Sequence, residues 1–516
     1  LHVRSRRQRQ MCIRDSFELD KATNKLLIRQ SRPLPLAPAE DAISQSVRDN
    51  YISPLIAGFK IEAFNNDSTT MVIKVNDIYD GTETSINNVF TNINLGTSSI
   101  KNLSRILSIK SFENNVVATS ELTTKVTEGT TSIYVTVEVS SSLMLLPETP
   151  MTGRLDNARV GYFTNPLLSY SDGQQRVSKQ QFITRWRLEP KPEDRERYLR
   201  GELVEPAKPI VFYIENSTPY RWRKYIKQGI EDWQVAFERA GFKNAIIAKD
   251  ITDSMTVDMD DVNYSVLTYA ASTKANAMGP SILDPRSGEI LEADIMWWHN
   301  VLNMLQEWIT VQTGTVRPEA RGIKLSDELM GDAMRFVACH EVGHSLGLRH
   351  NMMGSWAFPT DSLRSKSFTD RMNSTSSSIM DYARFNYVAQ PEDSVSVDGL
   401  FPRIGIYDKW AIQWGYTPLW GTSDDEEDRL VLNEMIKKKQ KENKQLWFGA
   451  EGYNRDPRCQ REDLGDNPVI AAEYGIRNLK RVMKVLPEWT YEEGDFNTHL
   501  LSMHRSIIDQ YRRFLI

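Results

Sequence analysis

Cysteine is scarce in this chain, long apolar runs are missing, and neither sign of charge dominates. Three cysteines in 516 residues, Cys12, Cys339 and Cys459, are too few for a disulfide framework and suit either a reducing or an oxidising compartment. No apolar run reaches the roughly 18 residues that a membrane-spanning helix needs. The net charge of -5 argues against a dedicated nucleic-acid-binding protein. What remains is the composition of an ordinary globular protein, 40% apolar and 25% charged.

The length allows several domains, and the patterns along the chain predict a multidomain α+β protein. Residues 1–16, which are rich in arginine, are expected to be a disordered or non-native tail. A β-rich domain is predicted at 17–150, a connector at 151–206, a mixed domain at 207–420 and a helical region at 421–516. The last helical stripe runs into the final residue, so we expect the natural protein to be longer.

Residues 17–150 show the alternation that is typical of half-buried strands. Ile133, Val135, Val137 and Val139 are separated by single residues, which is the side-chain period of a strand. Clusters of Asn, Asp, Gly and Ser divide such runs. We therefore predict a predominantly antiparallel β domain without catalytic residues. A packing or folding role is favoured, and a role in latency or substrate recruitment is the alternative.

Residues 207–420 combine strand and helix patterns. Pro209 to Ile214 is a continuous apolar run that suits a central strand. A long helix is predicted from about Ser217 to Gly241, and a second one begins near Ser326, whose hydroxyl can cap it. The domain should therefore be a mixed, twisted sheet covered by long helices.

One stretch of this domain is a candidate substrate-binding strand. Residues 289–297 follow a turn and partly alternate polar with apolar side chains, as an edge strand does. If the edge lies beside a catalytic centre, its free backbone groups would pair with an extended peptide. An edge that is simply capped by charge is the alternative. The residues expected to contact a peptide are Glu289, Ile290, Leu291, Glu292 and Ala293.

An acidic loop lies between two predicted strands of the same domain. It contains Asp253, Asp258, Asp260 and Asp261, whose carboxylates form a candidate calcium site. Their spacing matches no calcium loop, so a solvated surface is the favoured interpretation.

The strongest motif is H-E-x-x-H-x-x-G-x-x-H. His340 and His344 are four residues apart, so both project from one face of a helix and can reach one metal ion. Gly347 can adopt a positive φ, which lets the chain leave the helix and present His350 as a third ligand. Three protein ligands leave one position open for water, as in catalytic zinc sites. Glu341, next to the first ligand, is placed to take a proton from that water.

The motif has two other interpretations. A solvated polar turn is disfavoured, because three of the seven histidines in the chain fall in one short window at ligand spacing. Glu341 and His344 also form the E-x-x-H pair of di-iron helices, but that architecture needs a second such pair, which the sequence does not contain.

Thirty residues beyond His350, the sequence Ser-Ile-Met-Asp-Tyr at 378–382 completes a resemblance. Together with the zinc motif it resembles the methionine-containing turn of the metzincin metallopeptidases. More widely, residues after about 150 resemble a large bacterial family of zinc-dependent metalloproteases with uncharacterised flanking domains. The resemblance implies that Met380 forms the floor of the site. It also implies that Tyr382 is similar to the astacin and serralysin tyrosine, a fifth zinc ligand that swings away to stabilise the intermediate.

The resemblance implies a metzincin-like zinc metalloprotease domain at 207–420 and a zinc-dependent endopeptidase acting on proteins or peptides. Asp381 receives no role, whereas Arg384 and Phe385 are candidate walls of the primed-side pocket, with ordinary packing as the alternative. A matrixin-type cysteine switch is disfavoured, because no cysteine lies between Cys12 and Cys339. The location is expected to be extracytoplasmic: periplasmic, secreted or at the cell surface. The rival hypotheses are a non-enzymatic, zinc-stabilised surface or binding protein and a hydrolase of a non-protein amide.

Overall fold

The computed structural model describes residues 2–3, 15–30, 35–83, 86, 89–92, 95, 98–252, 254–422, 425–451 and 456–515. The strands are β1 (His2–Val3), β2 (Asp15–Asp20), β3 (Lys25–Gln30), β4 (Pro35–Leu36), β5 (Leu55–Phe64), β6 (Met71–Ile73), β7 (Arg105–Ser111), β8 (Asn115–Glu128), β9 (Thr131–Met144), β10 (Thr164–Ser169), β11 (Ser178–Ile183), β12 (Ile210–Ile214), β13 (Ile246–Asp250), β14 (Ser265–Ala270), β15 (Ala277–Met278), β16 (Ser281–Asp284), β17 (Glu289–Ala293) and β18 (Ile295–Trp298). The α-helices are α1 (Ile43–Asn50), α2 (Asn76–Tyr79), α3 (Val89–Asn92), α4 (Arg195–Leu199), α5 (Tyr220–Glu231), α6 (Gln234–Phe237), α7 (Val301–Thr313), α8 (Asp327–Ser345), α9 (Lys366–Met372), α10 (Ile406–Tyr416), α11 (Asp425–Glu442), α12 (Pro468–Trp489) and α13 (Thr498–Arg513).

The N-terminal part is rich in strands, and the α+β multidomain class is confirmed. One four-stranded sheet has the order β2-β3-β5-β6, and all its pairs are antiparallel. The other has the order β1-β9-β8-β7, in which β8 and β9 form an antiparallel hairpin and β1 pairs with β9 in parallel. Of the predicted tail, 2–3 and 15–16 are strand residues, and the rest lies outside the described residues.

The central region contains the predicted mixed sheet, with the order β13-β12-β14-β18-β15. Its first four strands are parallel, and β15 is antiparallel to β18. The strand predicted at Pro209–Ile214 is β12, which has a partner on each side. Behind the sheet, α5 packs against α8, and a Cβ at Gly229 would lie 2.5 Å from the carbonyl oxygen of Arg335. A glycine on α5 therefore lets the two helices pack closely.

The helix predicted between Ser217 and Gly241 is divided in two. The first part, α5, ends at Glu231, and α6 begins only at Gln234. Between them, the indole N–H of Trp233 donates to the carbonyl oxygen of Cys339 at 2.8 Å. The predicted end is confirmed, since Gly241 has a φ of +90°. The break places a fully buried indole against the middle of α8.

Residues 151–206 join the central core. Val160, Tyr162, Ile183 and Leu188 belong to the same buried cluster as the sheet and α8. Tyr162 forms an antiparallel backbone bridge with Leu348, just beyond the end of α8. The segment thus supports the chain where it leaves the metal-binding motif.

The predicted edge strand at Glu289–Trp297 spans parts of two strands, and its role in substrate binding stays a prediction. Residues 289–293 form β17, which pairs with β16 on one side, while Ile290 N–H donates to the carbonyl oxygen of Arg185 on the other. Four of the five side chains are buried, and only Leu291 is partly exposed. The following residues form β18, an interior strand of the mixed sheet. Within the described part of the chain, the two edge strands of that sheet are β13 and β15.

The chain ends in the predicted helices α11, α12 and α13. Helices α12 and α13 form a cluster with α7 that buries Val311, Leu479, Val482 and Ile507. Among the described residues, no helix is both long enough and apolar enough to cross a membrane.

Candidate metal centre

Helix α8 carries the first two histidines of the motif. It begins where predicted, because the Ser326 hydroxyl accepts the N–H of Leu329 at 3.2 Å and two acidic residues occupy the first turn. The helix ends at Ser345 with a pair of backbone hydrogen bonds: Leu348 N–H donates to Gly343 and Gly347 N–H to His344. This is a Schellman motif, which closes a helix and turns the chain away from it.

Gly347 has the positive φ that the spacing predicted, at +91°. A Cβ on this residue would overlap the carbonyl oxygen of Thr184, and Phe163 N–H donates to the Gly347 carbonyl oxygen at 2.7 Å. Two supports from 151–206 therefore hold the turn that brings His350 back to the helix.

The three histidine side chains converge on one point. Nε2 of His350 lies 3.2 Å from Nε2 of His340 and 3.0 Å from Nε2 of His344. Nitrogen ligands at the usual zinc distance in a tetrahedral arrangement are about 3.3–3.4 Å apart. Among the described residues, this is the group of histidine, cysteine or acidic side chains that could hold a metal ion.

A partner on the far side of each ring fixes its orientation. Nδ1 of His340 lies 2.8 Å from the carbonyl oxygen of Ile379, and Nδ1 of His344 lies 2.8 Å from that of Leu348. Nδ1 of His350 lies 2.8 Å from the carboxylate of Glu451. Because these partners only accept hydrogen bonds, each Nδ1 carries the proton and each Nε2 presents a lone pair. Three lone pairs facing one another repel unless a cation lies between them, so the donor set fits a metal ion.

Burial keeps these imidazoles neutral. It lowers the pKa of His340 well below its ordinary value, that of His344 to about 4, and that of His350 as well. The neighbouring rings act in the same direction on His340 and His344. Since a metal binds the neutral ring, the site needs no deprotonation near neutral pH.

Glu341 lies beside this group at the edge of the mixed sheet. Its carboxylate accepts the backbone N–H of Gly279, the residue after β15, and burial raises its pKa to about 8. A Cβ at Gly279 would be 2.6 Å from the Glu341 carbonyl oxygen and 2.7 Å from the Ser345 hydroxyl. The sheet edge and Glu341 therefore approach closely because residue 279 is glycine.

Met380 lies buried beneath the histidine helix. A Cβ at Gly343 would overlap the Met380 sulfur and lie 2.8 Å from the ring of Trp233. The glycine between the first two histidines therefore leaves room for this methionine.

Tyr382 lies beside the third ligand, and its ring centroid is 4.3 Å from that of His350. Burial raises the pKa of its phenol, while the guanidinium of Arg384, 4.5 Å from the ring, acts in the opposite direction. Residues 340–350 and 378–382 are thus brought together.

Two protein families match parts of the chain, and one of them includes the three histidines. The model of a family described as Met-zincin matches residues 322–515. This region belongs to the Met-zincin family. Residues 9–191 match the model of a domain of unknown function (DUF5117). No curated protein and no solved structure matches the chain.

The Met-zincin match begins just before α8 and continues through α13. The matched stretch therefore contains the three histidines, Met380, Tyr382 and the C-terminal helices. The mixed sheet and the segment that supports Gly347 precede the match. The recognition made from the two motifs is confirmed, while the domain boundaries stay predictions.

Asp408 is a part of the Met-zincin region that the sequence did not reveal. One carboxylate oxygen accepts the hydroxyl of Ser378 at 2.6 Å, and the other accepts the N–H groups of Ile379 and Gly405, both at 2.7 Å. Burial raises its pKa to about 6 against the effect of these donors. The carbonyl oxygen of Ile379 contacts His340, so Asp408 holds the turn that orients the first ligand.

Asp408→Ala should loosen this turn strongly and Asp408→Asn only weakly. Alanine leaves two buried backbone N–H groups without an acceptor, at a cost of ~1–3 kcal/mol each. An asparagine side-chain oxygen can still accept both. Hydrogen–deuterium exchange of a peptide containing Ile379 and the thermal midpoint would measure the effect. Asp509→Ala, at an exposed ion pair on α13, is the control. Equal effects of alanine and asparagine at 408 would contradict this role.

Asn351 is a second residue whose role does not follow from the sequence pattern. It is fully buried and follows the third ligand directly. Its backbone N–H donates to Met380 at 3.0 Å, its amide N–H to the Trp447 carbonyl oxygen at 3.1 Å, and its side-chain oxygen accepts Gly449 N–H at 2.9 Å. The asparagine thereby ties the zinc motif to the methionine segment and to the C-terminal region. Its place directly after the third histidine was the available signal, but its partners are distant in sequence.

The remaining predicted residues lie in varied surroundings. Asp381 is buried, and one of its oxygens accepts the N–H of Ser355. Burial and then the neighbouring Asp463 raise its pKa well above the usual value. Phe385 is fully buried against Phe336 and Phe401, as in ordinary packing. Arg384 is ion-paired with Glu462 at 2.9 Å and lies over Tyr382, at the border of the site.

The acidic loop has a basic partner. The ammonium group of Lys110, from the N-terminal β-rich part, lies 2.8 Å from Asp258 and 3.1 Å from Asp260. Asp253 lies outside the described residues. The lysine supplies positive charge at the candidate calcium site, which stays a prediction.

Proposed function

We propose that the chain is a zinc-dependent endopeptidase that hydrolyses peptide bonds. The observation that carries the proposal is the convergence of the Nε2 atoms of His340, His344 and His350, with the carboxyl group of Glu341 on the residue directly after the first of them. His340, His344 and His350 would hold a zinc ion, which would supply a Lewis acid for the scissile carbonyl and for water.

Glu341 acts as general base and then as general acid. Its ionised form, which is the minor form near pH 7 because burial raises the pKa to about 8, takes a proton from the attacking water, and the same carboxyl group passes that proton to the departing amine. The N–H of Gly279 holds one side of the carboxylate and so limits its rotation. One residue thus serves both proton transfers, in agreement with its place directly after the first ligand.

Tyr382 and Met380 complete the proposed site. The phenol of Tyr382, beside the third ligand, donates a hydrogen bond to the developing oxyanion, and it is also a candidate fifth ligand. Met380 supports the histidine helix from below, in the space that Gly343 leaves.

The peptide substrate is proposed to pair with β15 rather than with β17. β15 is the antiparallel edge of the mixed sheet, and it runs directly into Gly279, which contacts Glu341. An extended peptide paired with this edge would lie beside the base, and backbone pairing accepts many side chains. The arrangement favours a protein or peptide over a small amide. An extracytoplasmic location stays a prediction.

Removal of metal should abolish hydrolysis, and zinc should restore it. A quenched fluorescent peptide library incubated with untreated, chelator-treated and zinc-reconstituted protein would measure this. We expect about one zinc per chain by elemental analysis, because three imidazoles form one site. A protein that binds zinc and hydrolyses small amides but no peptide would favour the non-protein amide hypothesis. A protein that binds zinc and hydrolyses neither would favour the binding-protein hypothesis.

A further inference from the structure

The third ligand differs from the other two in the group that orients it. His340 and His344 donate to backbone carbonyl oxygens, whereas His350 donates to the carboxylate of Glu451. A carboxylate–histidine pair fixes the tautomer and increases the electron density on the nitrogen that faces the metal. The charged carboxylate of Glu451 therefore raises the metal affinity of its histidine more than a neutral carbonyl oxygen does.

Glu451 is itself held on its other side. The oxygen that contacts His350 lies 3.1 Å from a guanidinium nitrogen of Arg461, and the guanidinium of Arg461 lies 6.0 Å from the ring of Tyr382. The arginine limits the positions that the carboxylate can take. Histidine, glutamate and arginine thus form a chain from the metal position to the C-terminal region.

The backbone that carries Glu451 is closely packed against the motif. Met352 N–H donates to the carbonyl oxygen of Gly449 at 2.8 Å, and a Cβ at Gly449 would overlap the sulfur of Cys459. Gly449 also donates to Asn351, directly after the third ligand. The chain two residues before Glu451 is therefore fixed relative to His350.

We propose that Glu451 is a positioning residue of the metal centre: it holds His350 as the Nδ1–H tautomer with Nε2 turned toward the metal. The C-terminal region thereby contributes a residue, Glu451, to the metal centre. This inference rests on the proposed function only for the identity of the metal as zinc. The Glu451 side chain is 35% exposed, so water reduces the electrostatic part of its effect.

Glu451→Ala should weaken zinc binding by about 10–100-fold in competition with a chromophoric chelator. Glu451→Gln should lie between the alanine variant and the wild type, because its side-chain oxygen still accepts from Nδ1 but carries no charge. Glu434→Ala removes an exposed glutamate from an ion pair on α11 and should leave zinc affinity unchanged. The visible absorption spectrum of the cobalt-substituted protein should change in Glu451→Ala and not in Glu434→Ala.

The thermal midpoint of the metal-free proteins separates positioning from folding. We expect Glu451→Ala and Glu434→Ala to differ by less than about 2 °C without metal. Zinc affinity of Glu451→Ala within twofold of the wild type, or an unchanged cobalt spectrum, would overturn the proposal. So would a loss of affinity that only follows a large loss of stability in the metal-free form. A wild type that binds zinc without hydrolysing peptides would contradict the proposed function alone.

Discussion

Glu341→Gln is expected to lower kcat/KM for peptide hydrolysis by about 10²–10⁴-fold, which is the usual contribution of general acid–base catalysis. The glutamine amide has the size of the carboxyl group but cannot take a proton from water. Its side-chain oxygen can still accept the N–H of Gly279, so the edge of the sheet should keep its position. The loss should therefore appear mainly in kcat, measured with a peptide that the wild type cleaves.

Zinc content separates this effect from damage to the site. The three histidines keep their partners at Ile379, Leu348 and Glu451 in the variant, so it should bind zinc as the wild type does. Glu328→Gln makes the same change at an exposed position in the first turn of α8 and should keep full activity. Equal hydrolysis by Glu341→Gln and the wild type would remove Glu341 from the mechanism.

The ligands were predictable from sequence because their geometry is local. His340 and His344 share a helix face by spacing alone, and the cap at Ser326 and the positive φ at Gly347 follow from residue type. The methionine segment was recognisable as a motif. Each of these features depends on a few neighbouring residues, so the short stretch contained enough information.

The partners that orient the ligands were not predictable, because they come from distant parts of the chain. Asp408 acts on His340 through Ile379, and Glu451 reaches His350 across 101 positions of sequence, the difference between 451 and 350. A buried aspartate in a helix and a glutamate in a loop have no distinctive spacing. Only packing shows which acidic residue of the chain contacts a histidine.

The surroundings of the predicted edge strand were not predictable for the same reason. Alternation in residues 289–297 correctly indicated strands, but it could not show that Arg185 forms a backbone bridge with Glu289 on the far side of β17. β15 has only two residues and therefore no period to detect. Its importance lies in its position beside Glu341, which the sequence does not contain.

Gly347→Ala should destabilise the protein by about 2–5 kcal/mol and strongly weaken zinc binding. Alanine at a φ of +91° costs about 1–2 kcal/mol, and a Cβ that overlaps the Thr184 carbonyl oxygen adds ~1–3 kcal/mol. Because Thr184 contributes backbone, relief of the overlap must move the turn that carries His350. Thermal unfolding and competition with a chromophoric chelator would measure both losses.

Gly421→Ala isolates the backbone part of this effect. Gly421 has nearly the same φ, +94°, but no described atom lies within 4 Å of the Cβ position. Its replacement should cost only the conformational strain, about 1–2 kcal/mol, and leave zinc affinity unchanged. If the two variants lose the same stability and both keep zinc, the contact with Thr184 does not position the third ligand. If only Gly347→Ala loses zinc, the segment before the mixed sheet is required for the metal centre that the Met-zincin region carries.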